Sequence, residues 1–119
     1  MQRVVMKFGG TSVGIASNFA RAQALVLARA ARDPKPPVVV VSALTGVTNV
    51  LVEFCALPSR RVALGERIRD RHLSFATEVG VGVEPIAGLL AEWRETSERL
   101  ARGDALAGEL RDRVLAFGG

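Results

Sequence analysis

Lys7, Gly9, Gly10, Thr11 and Ser12 crowd into the stretch KFGGTSVG, at the end of a short apolar run. A cation, two residues without a Cβ and two hydroxyls are the ingredients of an anion site. Glycines let backbone N–H groups approach phosphate oxygens, hydroxyls add neutral donors, and a lysine adds a point charge. The same residues also suit a plain strand-to-helix turn, because glycine loops are common at such junctions. Spacing alone leaves both readings open. A second segment of small residues follows about thirty positions on, Ser42-Ala43-Leu44-Thr45-Gly46-Val47-Thr48-Asn49. There Ser42 and Thr48 could equally serve as helix caps. Two familiar phosphate fingerprints are absent. A P-loop needs lysine directly after its last glycine, where Ile15 follows Gly14, and a dinucleotide loop needs glycine where Thr11 stands.

Both segments need elements to hold them. Arg3 to Phe8 reads as a short β-branched strand closed by Gly9-Gly10. Ala16 to Arg32 reads as a helix, with Phe19, Ala22, Val26 and Ala30 on one face, Arg21, Arg29 and Arg32 roughly opposite, and Ser17 as N-cap. Asp33-Pro34-Lys35-Pro36-Pro37 cannot continue it. Val38 to Val41 is a continuous β-branched run without polar alternation, the pattern of a parallel strand buried on both faces. Strand, helix and strand form a βαβ unit with a right-handed crossover. In open α/β sheets, ligands bind beyond the carboxyl ends of the strands, where both small-residue segments fall.

From Val47 onward the period is helical. Val47 to Leu57 is one helix, ended by Pro58. Arg60 to Val79 is a second, with Leu64, Ile68, His72, Phe75 and Val79 in a stripe. Pro85 opens a third, striped by Ile86, Leu89, Leu90, Trp93, Ser97 and Leu100, with Glu95–Arg99 and Glu98–Arg102 as surface pairs four apart. Asp104 is placed to cap a fourth, carrying Leu106, Leu110, Val114 and Phe117. Two adjacent parallel strands do not make a self-sufficient sheet, so their open edges and apolar faces favour self-association or pairing with more chain.

The bulk figures narrow the class. The chain has 119 residues, 49% of them hydrophobic and 24% charged, an ordinary globular composition. The net charge of +4 comes from arginines spread from Arg3 to Arg113 among glutamates. Arg60-Arg61 is the one tight pair, and aromatic residues do not interleave with it, so nucleic-acid binding is disfavoured. Cys55 stands alone, which excludes an intrachain disulfide and suits a reducing compartment. No apolar run approaches the roughly 18 residues of a membrane span, and residues 1–20 lack a signal-peptide pattern. The expected location is cytoplasmic. His72 has no second histidine or cysteine to share a metal, so it reads as a core or partly buried residue, while Trp93 reads as core packing and Cys55 as a small buried hydrophobe.

"KFGGTSV" followed by "VVVVSALTGVTN" closely resembles the opening of aspartokinases, in the amino acid kinase family. The resemblance runs in register over about the first fifty residues. It implies an α/β fold, the N-terminal part of a three-layer αβα sandwich: a βαβ unit, about four further helices, and an incomplete sheet. Residues 1–119 would be a single incomplete domain, the N-terminal portion of the catalytic domain without regulatory domains. The implied reaction moves the γ-phosphoryl group of ATP, carried with Mg²⁺, to the side-chain carboxylate of L-aspartate. The resemblance implies Lys7 as the catalytic cation, and Lys7, Phe8, Gly9, Gly10, Thr11 and Ser12 around the ATP phosphates. It implies Ser42, Ala43, Gly46 and Thr48 around aspartate, and no metal ligand from the chain itself. One departure stands out: where the family commonly reads F-G-E, this sequence reads Phe117-Gly118-Gly119. The isolated chain is therefore expected to be inactive. A non-catalytic folding or interaction module, and a relative phosphorylating another carboxylate, remain as alternatives.

Overall fold

A computed structural model describes residues 3–118. In chain order the elements are β1 (Val5–Phe8), α1 (Gly10–Val13), α2 (Ala16–Arg32), β2 (Val38–Val41), α3 (Val47–Ala56), α4 (Arg61–Glu78), α5 (Ala87–Ala101) and α6 (Gly108–Ala116). The chain is mixed α/β, as the βαβ pattern followed by four helices requires. It divides into two compact units, one running to Thr45 and one from Gly46 to Gly118.

In the first unit β1 and β2 pair in parallel, with Val5 opposite Val38, Met6 opposite Val39, Lys7 opposite Val40 and Phe8 opposite Val41. The Val38 amide donates to the Val4 carbonyl at 2.9 Å and the Ser42 amide to the Phe8 carbonyl at 3.1 Å. The strands therefore end level. Along β1 the exposed Val5 and Lys7 alternate with the half-buried Met6 and Phe8, as a pleat requires. Among the described residues of this unit, Val13 and Ala22 are the buried apolar ones.

Two expectations for this unit are corrected. Val38 to Val41 are not buried on both faces: all four lie between 42% and 55% exposed. A parallel strand is buried only where layers cover both faces of its sheet, and the described residues build no second layer there. Ser17 does not cap α2. The helix runs from Ala16 to Arg32 as expected, but it follows Ile15 in extended conformation and has no side-chain cap. The turn after β1 is itself helical: α1 is a single turn with Gly9 as its extended N-cap and Gly14 closing it.

The second unit is a helical bundle built on Leu51, Phe54, Leu64, Ile68, Phe75, Trp93, Leu100 and Val114, all buried. The Trp93 indole packs at 5.2 Å from the Phe54 ring and 5.1 Å from Phe117, and its Nε1–H donates to the Gly65 carbonyl at 3.0 Å. A β-carbon built on Gly65 would sit 3.3 Å from Ser97 Cβ, so a glycine there lets α4 and α5 approach closely. Pro85 lies in a 3-10 turn, Glu84–Ile86, that leads into α5.

Asp104 does not cap α6, which begins at Gly108. It completes the end of α5 instead. Gly103 adopts φ +106°, its amide donates to Leu100, and the Asp104 amide donates to Arg99 at 3.2 Å. This is the glycine-closed helix end in which the two amides satisfy the last carbonyls. The Asp104 carboxylate pairs with Arg99 at 3.0 Å, and Glu98 pairs with Arg94 at 3.1 Å. Those contacts replace the anticipated Glu95–Arg99 and Glu98–Arg102 pairs.

Candidate functional site

Because β1 and β2 end in register, the segments that follow them leave the same edge of the sheet side by side. Gly9 stands with nothing within 4 Å of the place its β-carbon would take. That is open room beside the backbone. Gly10 differs, since its β-carbon would lie 3.3 Å from the Ala43 carbonyl oxygen. The two glycines thus serve two purposes: Gly9 leaves space, and Gly10 lets the second segment come close.

The turn itself is held by backbone bonds. The Gly9 carbonyl accepts from the Ser12 amide at 3.0 Å and the Val13 amide at 3.2 Å, and the Gly10 carbonyl accepts from the Gly14 amide at 2.7 Å. The first amides of any helical turn lack an intrahelical partner, which here leaves those of Gly10 and Thr11 available at the strand end. Asn18, from α2, donates its side-chain amide to the Thr11 carbonyl at 3.0 Å. Thr11 is exposed and Ser12 half-buried.

Lys7 lies on the exposed face of β1 and makes no ion pair among the described residues. Asp33, the carboxylate of the first unit, is engaged by Arg29 at 2.7 Å and Arg32 at 3.4 Å. An exposed, unneutralised ammonium at the end of a strand is available to an incoming anion.

Ser42 is exposed and Ala43 half-buried, both directly after β2. Gly46 adopts φ +84° as the residue before α3, a left-handed conformation that glycine takes without strain. Thr48 is exposed in the first turn of α3, in the second unit. Gly119, where the resemblance expects a glutamate, lies outside the described residues.

Three contributors escaped the sequence reading. Thr45 and Gly14 make a contact across the two segments, and Asn18 holds Thr11. Nothing in their spacing marks them, since each depends on which loops meet. Arg61 is a fourth surprise. Half of the tight basic pair Arg60-Arg61, it is 7% exposed and donates to the carbonyls of Phe54 at 3.0 Å, Cys55 at 3.0 Å and Leu100 at 3.4 Å. It closes the carbonyl ends of α3 and α5, the negative ends of their dipoles. Arg60 pairs with Glu53 at 3.5 Å.

A groove of about 480 Å³ lies in the helical unit, bordered by Arg61, Glu66, Arg69, Asp70, Arg94 and Glu98. Arg69 pairs with Asp70 and Arg94 with Glu98 across its rim. His72 is half-buried, its Nδ1 within 2.7 Å of the Ile68 carbonyl. Among the described residues no group of three or more His, Cys, Asp or Glu side chains could hold a metal, and no helix is long and apolar enough to cross a membrane.

A parallel βαβ unit followed by helices defines an α/β protein. The chain belongs to the amino acid kinase family, whose sequence profile matches residues 2–117. Within that family it is similar to the N-terminal part of aspartokinases. It is 42% identical over 116 residues to the aspartokinase of Chlamydia trachomatis serovar D, covering 97% of this chain and 25% of that protein. It is 34% identical over 125 residues to the chloroplastic aspartokinase 3 of Arabidopsis thaliana, covering 96% and 21%. The crystal structure of E. coli aspartokinase III in complex with aspartate and ADP superimposes with a TM-score of 0.75 at 30% identity, covering 98% of this chain and 26% of that one. The chain thus spans about a quarter of the length of these relatives.

Proposed function

We propose that the chain supplies part of the active site of an aspartate kinase, which converts ATP and L-aspartate into ADP and 4-phospho-L-aspartate. The observation that carries this reading is the level ending of β1 and β2, with an unpaired Lys7 and an open Gly9 beside Ser42. The resemblance to the complex of E. coli aspartokinase III with aspartate and ADP supports it.

In the reaction an aspartate carboxylate oxygen forms a bond to the γ-phosphorus while the bond from that phosphorus to the bridging oxygen of ATP breaks. No proton need move. Such a transfer asks for positioning and charge neutralisation rather than covalent help. Lys7 would neutralise the transferring group. At 4 Å a unit charge pair near a protein surface is worth about 4 kcal/mol. The amides of Gly10 and Thr11 would receive phosphate oxygens, with Gly9 giving room, Phe8 setting the strand end and Ser12 adding a hydroxyl. Ser42, Ala43, Gly46 and Thr48 would border aspartate. Mg²⁺ would arrive on the nucleotide. We place both units in one catalytic domain of a cytoplasmic enzyme whose open sheet favours self-association.

The chain alone should not turn over. In-line transfer needs both reactants held at once, and that positioning is worth roughly 7–11 kcal/mol. The test is a titration of the ¹⁵N-labelled chain with Mg-ADP. Shifts at Gly9, Gly10 and Thr11 that Lys7→Ala weakens tenfold support the reading, and their absence refutes it. A coupled ADP-release assay should show no aspartate-dependent turnover. Turnover abolished by Lys7→Ala would mean that copies of this chain complete one another's site.

A further inference from the structure

We infer that Thr45 is a positioning residue: its side chain locks the segment after β2 onto the turn after β1 and thereby aims the Thr11 amide. This rests on the proposed reading of that edge as the phosphate side of the site. The Thr45 hydroxyl donates to the Gly10 carbonyl at 2.8 Å, across 35 positions of sequence. The same carbonyl accepts the Gly14 amide at 2.7 Å. A carbonyl oxygen has two lone pairs, and here both are used.

The peptide unit is planar and trans, so its N–H points opposite to its C=O. Fixing the Gly10 carbonyl therefore fixes the amide of Thr11, turning it away from Gly14 and Thr45 to the open side of the turn. Asn18 holds the next carbonyl, that of Thr11, from α2. Two successive peptide planes are thus clamped, one from the β2 segment and one from the crossover helix. An amide aimed beforehand is worth more to a developing charge than one that must reorient.

Gly14 is part of the same lock. Its φ of −84° is open to any residue. Its constraint is space: a β-carbon there would lie 2.6 Å from both the Thr45 amide nitrogen and the Gly10 oxygen, and closer still to the Thr45 hydroxyl oxygen. Backbone atoms cannot swing aside, so any side chain at 14 would pry the two segments apart.

The experiment compares Thr45→Val, which keeps the shape and removes the donor, with Thr45→Ser, which keeps the donor. Both are made in the ¹⁵N-labelled chain. Without ligand, Thr45→Val should speed hydrogen exchange of the Gly14 amide at least tenfold and shift the Thr11 resonance, with Leu64 and Leu100 unmoved. It should also weaken binding of inorganic tripolyphosphate at least threefold. Thr45→Ser should restore all three. Wild-type exchange in Thr45→Val overturns the lock. So does failure of Thr45→Ser to recover, even if Thr45→Val loosens the whole sheet, because the hydroxyl would then not be what matters. If tripolyphosphate leaves the wild-type amides of Gly9 to Thr11 unmoved, the phosphate reading falls, while the ligand-free exchange still decides the lock.

Discussion

The two units of this chain are stabilised in opposite ways. From Gly46 onward, ten apolar residues are buried, four of them with 0% or 1% exposure, and the one buried cation is tied to three carbonyls. Up to Thr45, Val13 and Ala22 are the buried apolar residues among those described, and the β2 valines are near half exposure. Order in the first unit comes from the backbone: strand pairing, a helical turn, and carbonyls clamped by Thr45 and Asn18. Order in the second comes from side-chain packing. The difference matches the work proposed for each. Residues that must meet a phosphate cannot be sealed in a core, and close packing elsewhere must hold the chain together.

The largest expected effect tests the packed side. Trp93→Ala removes an indole that touches Phe54 and Phe117 and leaves the Gly65 carbonyl without its donor. A buried aromatic truncated to alanine costs about 3–5 kcal/mol. Urea denaturation followed by far-ultraviolet circular dichroism should lose about that much. A loss under 1 kcal/mol would mean that the helical core is looser than its burial states.

Arg61→Met comes next. The substitution keeps the aliphatic volume and removes donors from three carbonyls, as well as the cation from the Phe54 ring at 5.6 Å. Hydrogen bonds to a charged group contribute about 1.5–3 kcal/mol, so the loss should fall near 2–3 kcal/mol. Arg61→Lys should recover little, because one ammonium cannot reach three carbonyls in a planar fan. Full recovery by lysine would assign the effect to charge alone.

Arg61 also marks where the sequence stops being legible. A burial pattern read by helical period placed Leu64, Ile68, Phe75, Trp93 and Leu100 correctly, because amphipathic spacing is a local property. The βαβ order, the strand ends and the glycine segments were legible for the same reason. Nothing in the sequence marked Arg61 as buried, because its partners are two helix ends, one of them 39 residues away. Thr45 and Gly14 were silent because their meaning depends on a contact between two loops. Asp104 was misassigned because an acidic residue after a glycine can close one helix as readily as open the next. The valines of β2 read as doubly buried because the pattern reports what a strand can cover, and the described residues supply no covering layer.

A smaller effect tests the open side. Val39→Thr replaces a methyl with a hydroxyl at a position that is 42% exposed, and threonine keeps the β-branched preference for strand. It should cost less than about 1 kcal/mol, as substitutions at partly exposed sites do. The same change should lower self-association in sedimentation, since an apolar sheet face with open edges favours contact between copies. A cost equal to that of Trp93→Ala would erase the contrast between the units.

The smallest effect concerns Asp33, just past the end of α2. Partial burial raises its carboxyl pKa, but hydrogen bonds from Arg29 and Arg32, with their charges, outweigh this and hold it below the ordinary value. A group with a lowered pKa in the folded state contributes stability that is present above its unfolded value, near 4. That contribution is lost as pH falls through the folded one. The first unit should therefore loosen at the end of α2 below about pH 4, an effect read as a carboxyl resonance of Asp33 titrating lower than that of a free aspartate. The pair is partly exposed, so 1 M salt should move the midpoint back toward the ordinary value. At neutral pH Asp33→Asn should change stability little, because two contributions oppose. The carboxylate gains from its two arginines, and it loses by facing the negative end of the α2 dipole. Asparagine gives up both. A midpoint above the ordinary value would reverse the sign and show that burial, rather than the arginines, governs this corner.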